Sequence, residues 1–304
     1  MKFLFDIYYK KTKGFYPFFE FCPEEYQEYF LQKRYKDAIG KEVDLKNPHT
    51  FNEKVRWLIT NEKLDLKTQF ADKIKAKKYV EENIGKEYVA ELYGVWEKFS
   101  DIDFDKLPEK FALKVNHGWR MNAFIYNKSS VVKNKYKKLK NTFEDWMKTN
   151  FEYASLEAQY KNIERKIYAE ELIKPDPKNN YGQFQLHCFN GEPKYIEVTP
   201  PMDPNENNLP ATPVYSIDWA LQPFHISFRT CYREVEKPPY LDEMLKIART
   251  LSREFSYVRV DFLPHKDKFV FSELTFSPYA ALVKFTPQEY DDILGDMIKL
   301  PESD

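Results

Sequence analysis

The residues best suited to chemistry lie between Ser256 and Pro278, in SYVRVDFLPHKDKFVFSELTFSP, where Arg259 and Asp261 stand two apart and Glu273 follows a polar turn. Two carboxylates beside an arginine can hold Mg²⁺ against phosphate oxygens, because a hard cation takes a few carboxylate ligands and leaves its other positions to substrate. That chemistry requires all three side chains on one face. β-Branched and aromatic residues alternate on either side of His265-Lys266-Asp267, which predicts strands over 257–263 and 268–275. A three-residue loop would pair Pro264 with Lys268 and set Arg259 opposite Glu273, with Asp261 diagonal to it at about 7–8 Å. A two- or four-residue loop would send the acids to opposite faces. The competing reading is a solvated ladder of surface charges.

The rest of the chain must position that hairpin. Pro23 and two early glutamates predict a helix ending at Gly40, and Thr50 with Glu53 forms a capping-box pattern before FNEKVRWLITNEK. A further helix is predicted over Thr68–Asn83, closed by Gly85. Short strands follow in EYVAELYGVW (87–96), in EKFALKVNHG (109–118) and in AFIYN; Lys114 lies on the polar side of the second. Residues 128–151 read as a polar helix, and KIYAEELI (166–173) as a strand or hinge. QFQLHCFNGEPKYIEV (183–198) is a hairpin turning at Asn190-Gly191. Loops are expected at PDPKNN and TPPMDPNENNLPATP, a short strand near Tyr215, and helices at 239–254 and 287–298.

Composition narrows the function classes. With 304 residues, 17% of them aromatic, the chain can bury a sizeable core. Its 47 basic and 48 acidic residues leave a net charge of −1, so no global field draws it to nucleic acid. Cys22, Cys188 and Cys231 are widely separated, which fits neither a disulfide framework nor a zinc site and agrees with a reducing, cytoplasmic setting. The aromatic N-terminus carries Asp6, Lys10, Lys11 and Lys13 inside its apolar run, unlike a signal peptide; peripheral contact with the inner face of a membrane through residues 3–19 competes with packing onto the body. His187, on a strand beside Cys188, reads as a buried, hydrogen-bonded histidine, and the acids of DID (101–103) and DFD (103–105) as surface charges. No GxSxG or HExxH occurs.

FNEKVRWL (51–58), ADKIKAKKYVEENIGKEYV (71–89), GVWEKFSDIDFDKLPEKFALKVNHG (94–118), CFNGEPKYIEV (188–198), YVRVDFL (257–263), ELTFSP (273–278) and KFTPQEYDDILG (284–295) together resemble the TupA-like ATP-grasp family, whose members accompany bacterial surface-polysaccharide genes and are often labelled glycosyltransferases. The resemblance implies an α+β, ATP-grasp fold of two subdomains, 67–168 and 169–304, behind an N-terminal helical region, 1–66. It implies ATP and Mg²⁺ as cofactors and an amide-forming ligase that activates a carboxylate-bearing sugar or glycan as an acyl-phosphate and passes it to an amine or amino acid. The alternatives are a glycosyltransferase of the same pathway and a non-catalytic binding protein. Carried over by position, Lys114 resembles the lysine that touches ATP phosphates; His117, next to Asn116 in the NHG motif, is either a phosphate or substrate contact or a loop histidine that caps the turn. Glu170, Glu171 and Leu172 resemble the hinge that receives adenine, and Asp261 and Glu273 the metal-binding acids. Arg259 is suited to neutralising charge beside them.

The chain departs from that pattern in three places. After NHG the family has a glycine-rich turn whose amides approach phosphate closely, where this chain has Trp119-Arg120-Met121-Asn122; Arg120 could replace the lost amides with a charge. Gln185 stands where a lysine is expected, removing a contact worth roughly 1.5–3 kcal/mol. VTPPMDPNENN replaces an acidic, arginine-containing segment.

Overall fold

The computed structural model describes residues 24–176, 181–201, 212–226 and 235–302. Helix α1 (Glu24–Ile39) precedes α2 (Phe51–Asn61), which Thr50 and Glu53 open with the capping box read from the sequence. The stretch predicted as one helix at 68–83 is two, α3 (Leu64–Ala71) and α4 (Lys73–Asn83). The break is chemical: Asp72 takes extended backbone and its carboxylate accepts from the amides of Ile74 and Lys75, starting α4 afresh.

Strands β1 (Leu92–Trp96), β2 (Phe111–Val115) and β3 (Asn122–Ile125) come next, then α5 (Lys128–Asn134), α6 (Tyr136–Lys148) and α7 (Phe151–Ser155), a series divided at Lys135 where one polar helix was expected. Strand β4 (Ile167–Glu170) joins the first three in an antiparallel sheet of order β1-β4-β2-β3. Its core, with Phe111, Leu113, Val115, Phe143 and Phe151, is separate from that of the second sheet.

The second sheet contains β5 (Gln183–Phe189), β6 (Glu192–Thr199) and β7 (Val214–Ser216), then, after α8 (Leu241–Ser252), β8 (Tyr257–His265) and β9 (Lys268–Thr275); its order is β7-β6-β5-β8-β9, all antiparallel. The β5–β6 turn puts Asn190 at φ 50° and Gly191 at φ 82°, as a two-residue Asn-Gly hairpin requires. Apolar residues of one face, among them Val258, Val260, Phe262, Phe271 and Leu274, pack with Met244, Ala248 and Leu251 of α8 and with Ala76 and Val80 of α4. The other face is apolar at one end, where Phe189 and Tyr257 meet Phe51 of α2. Towards the other end it becomes polar.

Helix α9 (Tyr290–Asp296) crosses the start of α2 at backbone distance. A Cβ on Gly295 would lie 2.4 Å from the His49 carbonyl oxygen and 2.7 Å from the Phe51 nitrogen. Asn52 and Asp291 fasten the crossing: the Asn52 amide group donates to Asp291 and to the Val283 carbonyl, and accepts from the Val283 N–H. Among the described residues no helix is long and apolar enough to cross a membrane. The expected membrane contact at 3–19 and Cys22 and Cys231 lie outside the described residues, as do parts of both proline-rich loops.

Candidate active site

The turn between β8 and β9 has two residues, Lys266 and Asp267, with His265 paired to Lys268. By alternation alone that length would separate the acids. A β-bulge corrects it: Phe262 pairs with Phe271 but Asp261 pairs with Glu273, so Ser272 is an extra residue on β9. Asp261 therefore sits directly opposite Glu273, and Arg259 opposite Thr275, where the three-residue loop would have set Arg259 against Glu273.

Register extends this row across the sheet. Glu197 of β6 pairs with Gln185 of β5, Gln185 with Asp261, and Asp261 with Glu273; alongside run Tyr195, His187, Arg259 and Thr275. Arg259 grips Asp261 with two bonds, Nε to Oδ1 and Nη2 to Oδ2, each 2.7 Å. Gln183 donates to Asp261 Oδ2 at 3.0 Å. The Gln185 amide, turned with its oxygen towards the guanidinium, accepts from Arg259 at 3.0 and 3.1 Å and donates to the Thr199 hydroxyl. Gln185 thus serves the arginine as an acceptor, a task a lysine could not perform. Burial pushes the Asp261 carboxyl up, to about 7, against the pull of Arg259.

Cations reach this face from the other sheet and from α4. The Asp72 cap sets Lys73 and Lys77 one turn apart; Lys73 Nζ lies 3.3 Å from Glu273 and donates to the Gly118 carbonyl at 2.8 Å. Lys77 lies 3.0 Å from Glu170, and Lys114 pairs with the same carboxylate at 2.7 Å from the neighbouring strand. Burial would raise Glu170, yet Lys77 and Lys114 outweigh it and hold the carboxyl near 2. Glu273 is likewise lowered, as Lys73 and Arg259 overcome its burial. Burial pulls Lys77 down.

Lys114, Glu170, Glu273, Asp261 and Arg259 are thus drawn into one lattice of charge spanning both sheets. Glu170, which the resemblance aligned with the adenine hinge, is occupied by the two lysines. Glu171 leaves the sheet with its N–H on the Glu91 carbonyl and its carboxylate 3.6 Å from His265, and Leu172 is half-buried in the coil beyond. His117 is buried beneath α6, with Nε2 on the Trp146 carbonyl, and burial lowers it to about 4, so it is neutral at pH 7. Arg120 is exposed at φ 58°, its guanidinium 5.0 Å from the exposed Trp119 ring, and stands outside the lattice. The DID and DFD acids are exposed on short 3₁₀ turns.

Sequence reasoning missed Lys73, Lys77, Gln183 and Glu197. Lysines four apart behind an Asp cap were the only signal for the first two; the others needed the register. His187 is buried as expected, with Nδ1 2.8 Å from the Tyr257 hydroxyl and Nε2 3.5 Å from Glu197.

Among the described residues no three His, Cys, Asp or Glu side chains are grouped to hold a metal by themselves. Asp261 and Glu273, two hard donors on one face, fit an ion such as Mg²⁺ that draws its remaining ligands from phosphate.

A family model described as TupA-like ATPgrasp matches residues 53–299. The chain belongs to the TupA-like ATP-grasp family. Its two antiparallel sheets with flanking helices are the α+β arrangement of the ATP-grasp fold. No curated protein matches the TupA-like chain. Solved structures similar to it include a D-alanine–D-alanine ligase from Helicobacter pylori (13% identity, TM-score 0.44, covering 83% of this chain and 71% of that one). Others are a D-alanine–D-alanine ligase from Bacillus anthracis complexed with ATP (17%, 0.42, 88% and 72%) and an L-amino acid ligase from Bacillus licheniformis (9%, 0.40, 68% and 40%). The chain thus spans 40% of the length of the L-amino acid ligase.

Proposed function

We propose that this TupA-like protein is an ATP-dependent ligase that joins a carboxylate to an amine through an acyl-phosphate, with a surface-polysaccharide precursor as the carboxylate or amine substrate. The observation that carries the reading is the lattice in which Lys73, Lys77 and Lys114 face Glu170 and Glu273 beside the Arg259–Asp261 pair. Three lysines whose partners are carboxylates can exchange those partners for phosphate oxygens, which frees Glu273 for a metal ion. Lys73 and Lys114 would hold the nucleotide phosphates, and Asp261 and Glu273 the Mg²⁺. Mg²⁺ bound with ATP would neutralise charge on the phosphates and make the terminal phosphoryl group easier to transfer.

Arg259 has a distinct task. Bringing a carboxylate to a triphosphate sets two anions together, and a fixed guanidinium offsets that repulsion at no cost in reorganisation. The substrate carboxylate attacks the terminal phosphorus, ADP leaves, and the amine then displaces phosphate from the acyl carbon as its proton passes to a base or to water. Gln183, Gln185 and Thr275 keep the guanidinium and Asp261 in register throughout. MgATP is expected to raise the melting temperature and to do so less in Lys73→Met and Asp261→Asn. A well-folded wild type whose melting does not respond to MgATP would overturn the reading.

A further inference from the structure

A second charge cluster lies where β9 runs out. Ser277, two residues beyond Thr275, donates its hydroxyl to Glu157, and Gln159 donates to both Ser277 and Glu157, at 2.6 and 3.2 Å. All three side chains are buried. Against this segment packs α2, and from it comes Arg56, only 7% exposed. Its Nη1 is fully buried and has no hydrogen-bond partner, and no carboxylate lies within ion-pair distance of the guanidinium among the described residues. The charges Arg56 feels are Arg34, which disfavours its charged form, and Glu157, which favours it. The Gln159 side-chain oxygen is also buried without a donor.

An unpaired buried guanidinium is costly, because the desolvation of a charge is repaid only by a partner of opposite sign with good geometry. Val55 and Leu58 of the same helix enter the core, and a methionine or leucine at position 56 would carry no charge to desolvate. Guanidinium groups are suited to planar or tetrahedral oxyanions through paired N–H bonds. The position is also informative. Arg259 and Thr275 form the end of the lattice nearest Ser277.

We infer that Arg56, with Ser277 and Gln159 beside it, forms an anion subsite that takes a carboxylate or phosphate group of the acceptor substrate, beyond Arg259 at the end of β9. The assignment of that anion to a substrate rests on the ligase reading; the anion site itself does not. Arg56 here binds and orients, and the charges acting on it, Arg34 and Glu157, are not lattice residues.

Thermal melting of the full chain and of Arg56→Met and Arg56→Leu tests it, in chloride and with inorganic phosphate or acetate at constant ionic strength. Without added anion, at least one variant melts no lower than wild type, since it loses an uncompensated charge. Phosphate or acetate raises the wild-type melting temperature more than that of either variant, by mass action on the folded state. The larger of the two responses identifies the anion class. If both variants melt well below wild type, or if the anions shift wild type and variants equally, the inference is overturned. MgATP is expected to shift wild type and Arg56→Met alike, so loss of that response in the wild type would remove the ligase reading and leave the anion site standing.

Discussion

Glu170→Gln is the sharpest perturbation of the charge lattice. Glu170 is buried, and its two oxygens neutralise Lys114 at 2.7 Å and Lys77 at 3.0 Å, neither much exposed. Glutamine leaves two lysines facing a neutral amide. The magnitude follows from the carboxyl's depression from 4.5 to about 2. At about 1.4 kcal/mol per tenfold change, that difference corresponds to roughly 3 kcal/mol, within the range of about 3–5 kcal/mol for breaking a buried ion pair by removing one partner. For a chain of this size the melting temperature should fall by about 6–12 °C at pH 7. The pH dependence carries the sign. A carboxyl whose folded value lies below its unfolded one stabilises the fold above pH 4.5, and the contribution drains away as pH falls towards about 2. Urea unfolding at stepped pH should therefore show the gap between wild type and Glu170→Gln constant near neutrality and narrowing below about pH 4.5. A variant that melts with wild type at pH 7, or a gap unchanged by acid, would show that the lattice stores no such energy.

Three further outcomes follow from particular contacts. Gly295→Ala should destabilise by about 1–3 kcal/mol in urea unfolding, because its Cβ would meet backbone atoms of 49–51, which cannot turn aside. Thr50→Ala should cost about 1 kcal/mol through loss of the α2 cap, with MgATP response unchanged. Arg259→Lys should weaken the MgATP shift without restoring a bidentate grip on Asp261, and adding Gln185→Ala should do little more, since the amide acts through the guanidinium.

Features encoded locally were legible in the sequence. The Thr50–Glu53 box and the Asn190-Gly191 turn each depend on a few adjacent residues, and both formed where the pattern put them. Asp261, Glu273 and Arg259 could be singled out by type, but their mutual placement could not, because nothing marks Ser272 as the residue that leaves the ladder. Lys73 and Lys77 look like any solvated pair on a polar helix until the fold carries α4 against the edge strand β9. The helix boundary at Asp72 was readable in principle as an N-cap, though the surrounding helix formers concealed it. Arg56 shows the same limit, since an unpaired buried charge exists only once the neighbours are in place, and Glu197 is brought beside His187 only by the fold.

The bulge at Ser272 also makes this hairpin a spatial reading frame. A two-residue turn and one surplus residue cancel, so the acids meet on one side only as the combined result of two features. Deleting Ser272 alone would only regularise the ladder, because Glu273 would then follow Phe271 directly and still meet Asp261, with Leu274 kept on the apolar face. Pairing Ser272 into the ladder without losing a residue would instead turn Glu273 and Thr275 into the apolar layer beneath α8 and bring Leu274 out to the polar face. In comparing relatives, a one-residue gap at Ser272 should therefore be read as loss of the bulge with the acids kept in register, whereas a one-residue change in the turn shifts them unless the strand absorbs it.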